Sequence, residues 1–143
     1  MNDTLAPSSL RTVTLEREFA HPPEKLWRAL TQPHLIEAWL MKNDFVPAVG
    51  HAFRLSGDWG GADCRVLEIE AERSLSYTWA ALGLDSVVTW TLIPTAGGTL
   101  LRMEQSGFRP DQDHAYNGAR YGWPKFFDAL ETVLQRAEPV TND

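Results

Sequence analysis

The chain lacks the features that mark several classes of protein. It has one cysteine, Cys64, so it forms no internal disulfide, and a lone thiol suits a reducing cytoplasm. No apolar run approaches the ~20 residues of a membrane-spanning helix, and residues 1–10 resemble no secretory signal. Lysine and arginine number 13 against 19 acidic residues, a net charge of −6. We therefore expect a cytoplasmic protein with no membrane span and no nucleic-acid partner.

Residues typical of metal and catalytic sites are also scarce. No histidine has the i, i+4 spacing or the cysteine partner of a zinc site, and no G-x-S-x-G motif is present. Cys64 has no neighbouring histidine to activate it. The glycine-rich segment 57–61 lacks the lysine and following helix of a phosphate-binding loop. We expect no metal and no cofactor, and we assign no catalytic residue.

What the chain has in abundance is aromatic side chains. Six Trp, six Phe and three Tyr occur among 143 residues. Each buries about 150–250 Å² when enclosed, so together they are able to fill a core or to line a cavity. Both interpretations stay open at this point.

The hydrophobic pattern predicts an α+β domain over residues 11–138, with disordered tails at 1–10 and 139–143. Apolar and polar residues alternate over 12–20, and helical spacing follows over 23–30 and 34–40. Alternation returns over 52–55, 63–70, 74–80, 86–93 and 99–105, and a helical stripe ends the chain. Pro124 predicts a kink or a break near Gly122, with the firmest helix over 123–136. We expect a curved antiparallel sheet of about six to seven strands around a long C-terminal helix, with two short helices after the first strand.

Five segments resemble motifs of a known family in the same order. They are residues 21–31 (HPPEKLWRALT), 37–40 (EAWL), 75–79 (LSYTW), 98–108 (GTLLRMEQSGF) and the Gly122-Trp123 pair that opens the last helix. They resemble the activator of heat-shock protein 90 ATPase-like (AHSA-type) branch of the START-related, or SRPBCC, helix-grip superfamily. The resemblance implies a START-like fold with a ligand cavity, and by its name a chaperone partner. Gln105 departs from the family pattern, which commonly has histidine there.

Ten side chains are predicted to line the cavity between the sheet and the last helix. Strand alternation, the helix stripes and the glycine-rich turn indicate Trp39, Phe53, Trp59, Tyr77, Trp79, Trp90, Met103, Gln105, Trp123 and Phe126. Gln105 is the polar member expected to orient a ligand. The first hypothesis is a binding protein for a hydrophobic small molecule, aromatic or lipid-like. The alternative is a co-chaperone-like domain that binds a chaperone. A cyclase or hydrolase is a third hypothesis, although Gln105 cannot titrate.

Two arginines share strand faces with apolar residues in this pattern. Arg17 and Arg65 would each need an ion partner or a route to solvent, because a lone buried charge is costly. One interpretation places them in the cavity facing an anionic ligand, and the other places them at the edge of the sheet with their guanidinium groups in water.

Overall fold

Seven strands form one antiparallel sheet in the computed structural model, which describes residues 10–58 and 60–137. The order along the chain is β1 (Arg11–Phe19), α1 (Pro23–Thr31), α2 (Pro33–Trp39), β2 (Lys42–Asn43), β3 (Ala52–Gly57), β4 (Gly60–Glu70), β5 (Ser74–Ala81), β6 (Leu84–Thr95), β7 (Gly98–Phe108) and α3 (Asp113–Ala137). Across the sheet the strands follow β1-β7-β6-β5-β4-β3-β2. The predicted α+β helix-grip class is confirmed. Trp59 and, apart from Leu10, the predicted tails lie outside the described residues.

The central strands bury one face each, as their alternation predicts. In β7, Leu101, Met103 and Gln105 are buried, and the residues between them are partly exposed. Trp90 of β6 lies opposite Met103, and both are fully buried. Because consecutive strands are joined by hairpins, all these inward faces lie on the same side of the sheet. That side carries the helices and the core.

A bulge in β4 corrects the predicted orientation of part of that strand. The alternation predicted over 63–70 puts Leu67 and Ile69 on the same face, but the pairing with β5 shifts register between Val66 and Glu68. Val66 is 1% exposed and Leu67 is 39% exposed. One extra residue in a strand reverses which face the neighbouring side chains occupy. Arg65 therefore lies on the outer face.

The last helix is continuous near Gly122, where a kink or a break was predicted, so the break is wrong. α3 runs through all 25 of its residues with Pro124 inside. A proline removes one backbone donor and crowds the preceding turn, but packing outweighs such local preferences. Here Trp123 and Phe127, on either side of Pro124, are buried against the sheet and hold the helix in place. No helix in the described ranges is long and apolar enough to cross a membrane.

Candidate ligand-binding site

A cleft of about 550 Å³ opens between the first half of α3 and the neighbouring ends of β5, β6 and β7. Ligand sites in proteins typically have volumes of about 300–1,000 Å³. Its walls comprise Met41, Trp79, Ala81, Leu82, Leu84, Gln105, Phe108, Gln112, His114, Ala115, Gly118, Ala119, Gly122, Trp123 and Phe126.

One wall of the cleft is aromatic. The rings of Trp79 and Trp123 meet edge to face with centroids 5.6 Å apart, and Phe126 meets Trp123 at 5.5 Å. Such tilted contacts are a favoured geometry for aromatic pairs. The rings of this wall therefore pack against one another within the protein.

Another part of the lining is made of the small side chains of α3. Ala115, Gly118, Ala119 and Gly122 follow the i, i+3, i+4, i+7 spacing of one helix face, and all border the cleft. A Cβ added at Gly118 or Gly122 would meet no atom within 4 Å. In the second half of the same helix, Phe127, Leu130 and Leu134 are buried and fill the equivalent space. The change in side-chain size along α3 therefore leaves the cleft open at one end.

A chain of buried hydrogen bonds supports the aromatic wall. The indole Nε1–H of Trp123 donates to Gln105 Oε1 at 2.8 Å, and Gln105 Nε2 donates to Ser86 Oγ at 3.0 Å. Ser86 Oγ then donates to the carbonyl of Trp79 at 2.9 Å. Because an indole nitrogen donates and never accepts, it fixes which end of the amide faces Trp123. Gln105 thereby connects both tryptophans of the wall.

The cleft wall carries no Asp, Glu, Lys or Arg among the described residues. Its one ionisable side chain is His114, which is exposed at the start of α3. Gln112, at the mouth, accepts from the backbone N–H of Arg109 and donates to the carbonyl of Gly83 at 3.1 Å. The enclosed surface is therefore apolar, and its two amides are oriented by protein partners.

The family match agrees with this architecture. Residues 20–135 match the family model described as activator of Hsp90 ATPase homolog 1-like protein. The chain belongs to this family.

Solved structures resemble this AHSA1-like chain over most of its length. Protein MLL2253 from Mesorhizobium loti is 65% identical with a TM-score of 0.85, over 88% of this chain and 98% of that one. CalU16 from Micromonospora echinospora is 25% identical with a TM-score of 0.77, over 87% and 76%. DynU16, a protein in the dynemicin biosynthetic locus, is 23% identical with a TM-score of 0.79, over 87% and 47%, which shows a shared fold. No curated protein matches the chain.

Four of the ten predicted site residues of the AHSA1-like chain border the cleft. They are Trp79, Gln105, Trp123 and Phe126. Five others pack in the core behind it: Trp39, Phe53, Tyr77, Trp90 and Met103. The tenth, Trp59, lies outside the described residues.

Hydrogen bonds and ring contacts explain why the core residues stay away from the cleft. Trp39 Nε1 donates to the carbonyl of Ala29 at 2.8 Å, and Trp90 Nε1 donates to the Tyr77 hydroxyl at 2.9 Å. Phe53 lies against Tyr77 with ring centroids 5.2 Å apart. Burial raises the pKa of Tyr77 above its ordinary value, so that its hydroxyl stays neutral. These aromatics are satisfied within the protein.

The sequence pattern did not indicate several cleft residues at the β5–β6 turn, at the end of β7 and around the start of α3. Leu82, Leu84, Phe108, Gln112 and His114 border the cleft and were not among the predicted residues. The small residues of α3 were missed as well, although their i, i+3, i+4, i+7 spacing on one helix face is visible in the sequence. The position of Leu82 and His114 depends on how a hairpin turn meets the helix, and local sequence carries no signal of that.

Neither arginine proposed for the cavity borders the cleft. Arg17 Nη1 lies 2.9 Å from Asp128 and 3.4 Å from Glu131, so it connects β1 to α3. Arg65 is exposed and donates to the carbonyl of Gly50 at 2.7 Å. The interpretation in which each reaches solvent or a partner at the surface is the one the geometry supports.

Proposed function

We propose that this protein binds an uncharged, apolar small molecule in the cleft beside α3. The observation that carries the proposal is the cleft itself, about 550 Å³ in volume and bordered by Trp79, Trp123 and Phe126. An apolar pocket with few polar groups is the usual form of a small-molecule site. Membership of the family and the helix-grip fold support a ligand-binding role.

The preference for an uncharged ligand follows from what borders the cleft. A charged group that leaves water needs an ion partner or several hydrogen bonds, and without them its burial is strongly unfavourable. The described wall offers no charged side chain, and the amides of Gln105 and Gln112 already bond to protein atoms. An apolar ligand of aromatic character would gain from burial against the tryptophan rings.

A matched pair of fluorescent probes tests this proposal. N-phenyl-1-naphthylamine is uncharged, and 8-anilinonaphthalene-1-sulfonate has the same two aryl groups plus a sulfonate. We expect the uncharged probe to bind with enhanced fluorescence and at least about tenfold more tightly than the sulfonate, since tenfold corresponds to about 1.4 kcal/mol. Absence of any saturable response to the uncharged probe would dismiss the proposal.

A pair of variants locates the binding. Gly122→Leu places a branched side chain into the open space of the cleft, and it should weaken probe binding about tenfold or more. Tyr121→Leu changes the preceding residue, which is 76% exposed and does not border the cleft, and it should leave binding unchanged. Equal effects of the two variants would place the probe elsewhere on the protein.

The family match favours one second candidate, binding to a chaperone of the Hsp90 type. This alternative uses the protein surface and predicts that the purified chain retains the chaperone in a pull-down. It also predicts that Gly122→Leu leaves retention intact, because that substitution fills the cleft alone. No retention of the chaperone would remove this candidate.

A further inference from the structure

The turn between β5 and β6 presents an unusual residue at the mouth of the cleft. Ala81 pairs with Leu84, so Leu82 and Gly83 are the two central residues of a tight hairpin. Their φ angles are +52° and +83°. A turn with positive φ at both positions favours Asn-Gly, and a leucine in the left-handed region is strained by its Cβ.

Leu82 is also the most exposed large apolar side chain among the described residues, at 89%. On the other side of the turn, Leu84 is 7% exposed, and both leucines border the cleft. The strain at Leu82 is therefore not offset by packing within the protein. Strained residues of this kind concentrate at ligand-binding positions, where the surrounding structure holds them in place.

The turn is held across the mouth of the cleft. Gln112 Nε2, just before α3, donates to the carbonyl of Gly83 at 3.1 Å, so the hairpin tip is tied to the start of the helix. Leu82 directly precedes Gly83 in this turn, and it borders the same cleft as Ala115 and Gly118 of α3. An occupant of the cleft would meet the Leu82 side chain at the point where it leaves the enclosed space.

We infer that Leu82 is a ligand-contact residue that covers the occupant of the cleft, and that its strained backbone lowers the stability of the free protein. This inference rests on the proposed function. The apolar side chain gains a partner only when the cleft is occupied, and burial of part of one leucine is worth about tenfold in affinity. Asparagine at this position would relieve the strain and lose the contact.

The test compares Leu82→Asn with a matched control elsewhere in the chain. Glu72 is the other described non-glycine residue with positive φ, at +63°, and it lies in the turn between β4 and β5 away from the cleft. Leu82→Asn and Glu72→Asn should each raise the Tm by about 2–4 °C. Only Leu82→Asn should weaken the binding of N-phenyl-1-naphthylamine, with a Kd about tenfold higher than that of the wild type. Leu82→Met keeps an apolar side chain and should retain affinity close to that of the wild type.

Each outcome decides between the inference and the proposed function. If the wild-type chain binds the probe and Leu82→Asn binds it equally well, the inference is wrong and the proposed function stands. If Glu72→Asn weakens binding as much as Leu82→Asn, the effect is not local to the cleft and the inference is again wrong. If the Tm of Leu82→Asn is not higher than that of the wild type, the inference that strain at Leu82 lowers stability is wrong. A wild-type chain that binds no probe overturns the proposed function, and this inference with it.

Discussion

At the scale of single residues, Gln105 borders the cleft and makes buried hydrogen bonds to protein partners through both ends of its amide. It is 3% exposed, and its amide accepts from Trp123 and donates to Ser86. Gln105→Leu removes the acceptor of a buried indole N–H, and an unpaired buried donor costs about 1–3 kcal/mol. We therefore expect the free energy of unfolding in urea to fall by about that amount, with or without ligand.

The control for this prediction uses the other side of the hydrogen bond. Trp123→Phe removes the indole N–H, so no donor is stranded when Gln105 is replaced in that background. The double variant should then lose less from Gln105→Leu than the wild type does, and a double-mutant cycle measures the difference. Equal losses in both backgrounds would show that the Trp123 hydrogen bond contributes nothing.

Cys64 is a second residue whose environment sets its chemistry. Burial, assisted by the nearby negative charge of Asp63, raises the pKa of the Cys64 thiol from 9.0 to about 12. The thiolate is the reactive form, so we expect the folded protein at pH 8 to react slowly with 5,5′-dithiobis(2-nitrobenzoate). The chain unfolded in urea should react fully and release one equivalent of 2-nitro-5-thiobenzoate. Rapid full labelling of the folded chain would contradict the burial.

The same shift in pKa gives a stability change at alkaline pH. Above pH 9 the thiol of the unfolded chain ionises, while the folded thiol stays protonated until about pH 12. The unfolded state then binds fewer protons than the folded state, so stability falls as the pH rises through this window. Cys64→Ala should reduce that decline in urea titrations between pH 8 and pH 10, and an unchanged slope would contradict the raised pKa.

At the scale of elements, α3 has two halves with different roles. Its second half closes the core, and its first half carries glycines beside open space. Gly118→Ala and Gly122→Ala should each raise the free energy of unfolding by about 0.5–1 kcal/mol, because glycine inside a helix costs that much relative to alanine. Thermal or urea unfolding measures the change.

A glycine in a strand provides the opposite control. Gly107 has φ +115°, and an added Cβ there would lie 2.7 Å from the carbonyl oxygen of Asp85. Gly107→Ala should therefore lower stability, in contrast to the two helix variants. Destabilisation by all three alanines would show that the first half of α3 packs more closely against the sheet than the open cleft allows.

At the scale of the whole molecule, the net charge bears on whether the protein binds nucleic acid. Net charge is −6, and several exposed arginines pair with acids, as Arg102 does with Glu16 at 2.6 Å and Arg54 with Asp63 at 2.7 Å. Phosphate binding rests on unneutralised clusters of basic residues. We expect negligible binding of duplex DNA at 150 mM salt in a filter assay, and micromolar, salt-sensitive binding would contradict this.

The sequence was most informative where a signal is local. Alternation in β5, β6 and β7 predicts their inward residues, and the motifs at residues 21–31 and 98–108 predict the family. It was least informative at the bulge beside Leu67 and at Pro124. In the first case one inserted residue changes the register, and in the second the packing of Trp123 and Phe127 outweighs the local preference.

The sequence by itself determined which side chains of β5, β6 and β7 leave water, because burial on a regular strand follows from the hydrophobic period. It did not determine which of them meet an open space. Trp79 and Trp90 both lie on buried faces, yet only Trp79 borders the cleft, and Trp90 is enclosed by Trp39, Trp123 and Phe127. That distinction depends on where along α3 the large side chains that cover the sheet give way to small ones. The position of that change over the sheet is set by contacts between residues far apart in the chain. Only the tertiary structure decided it.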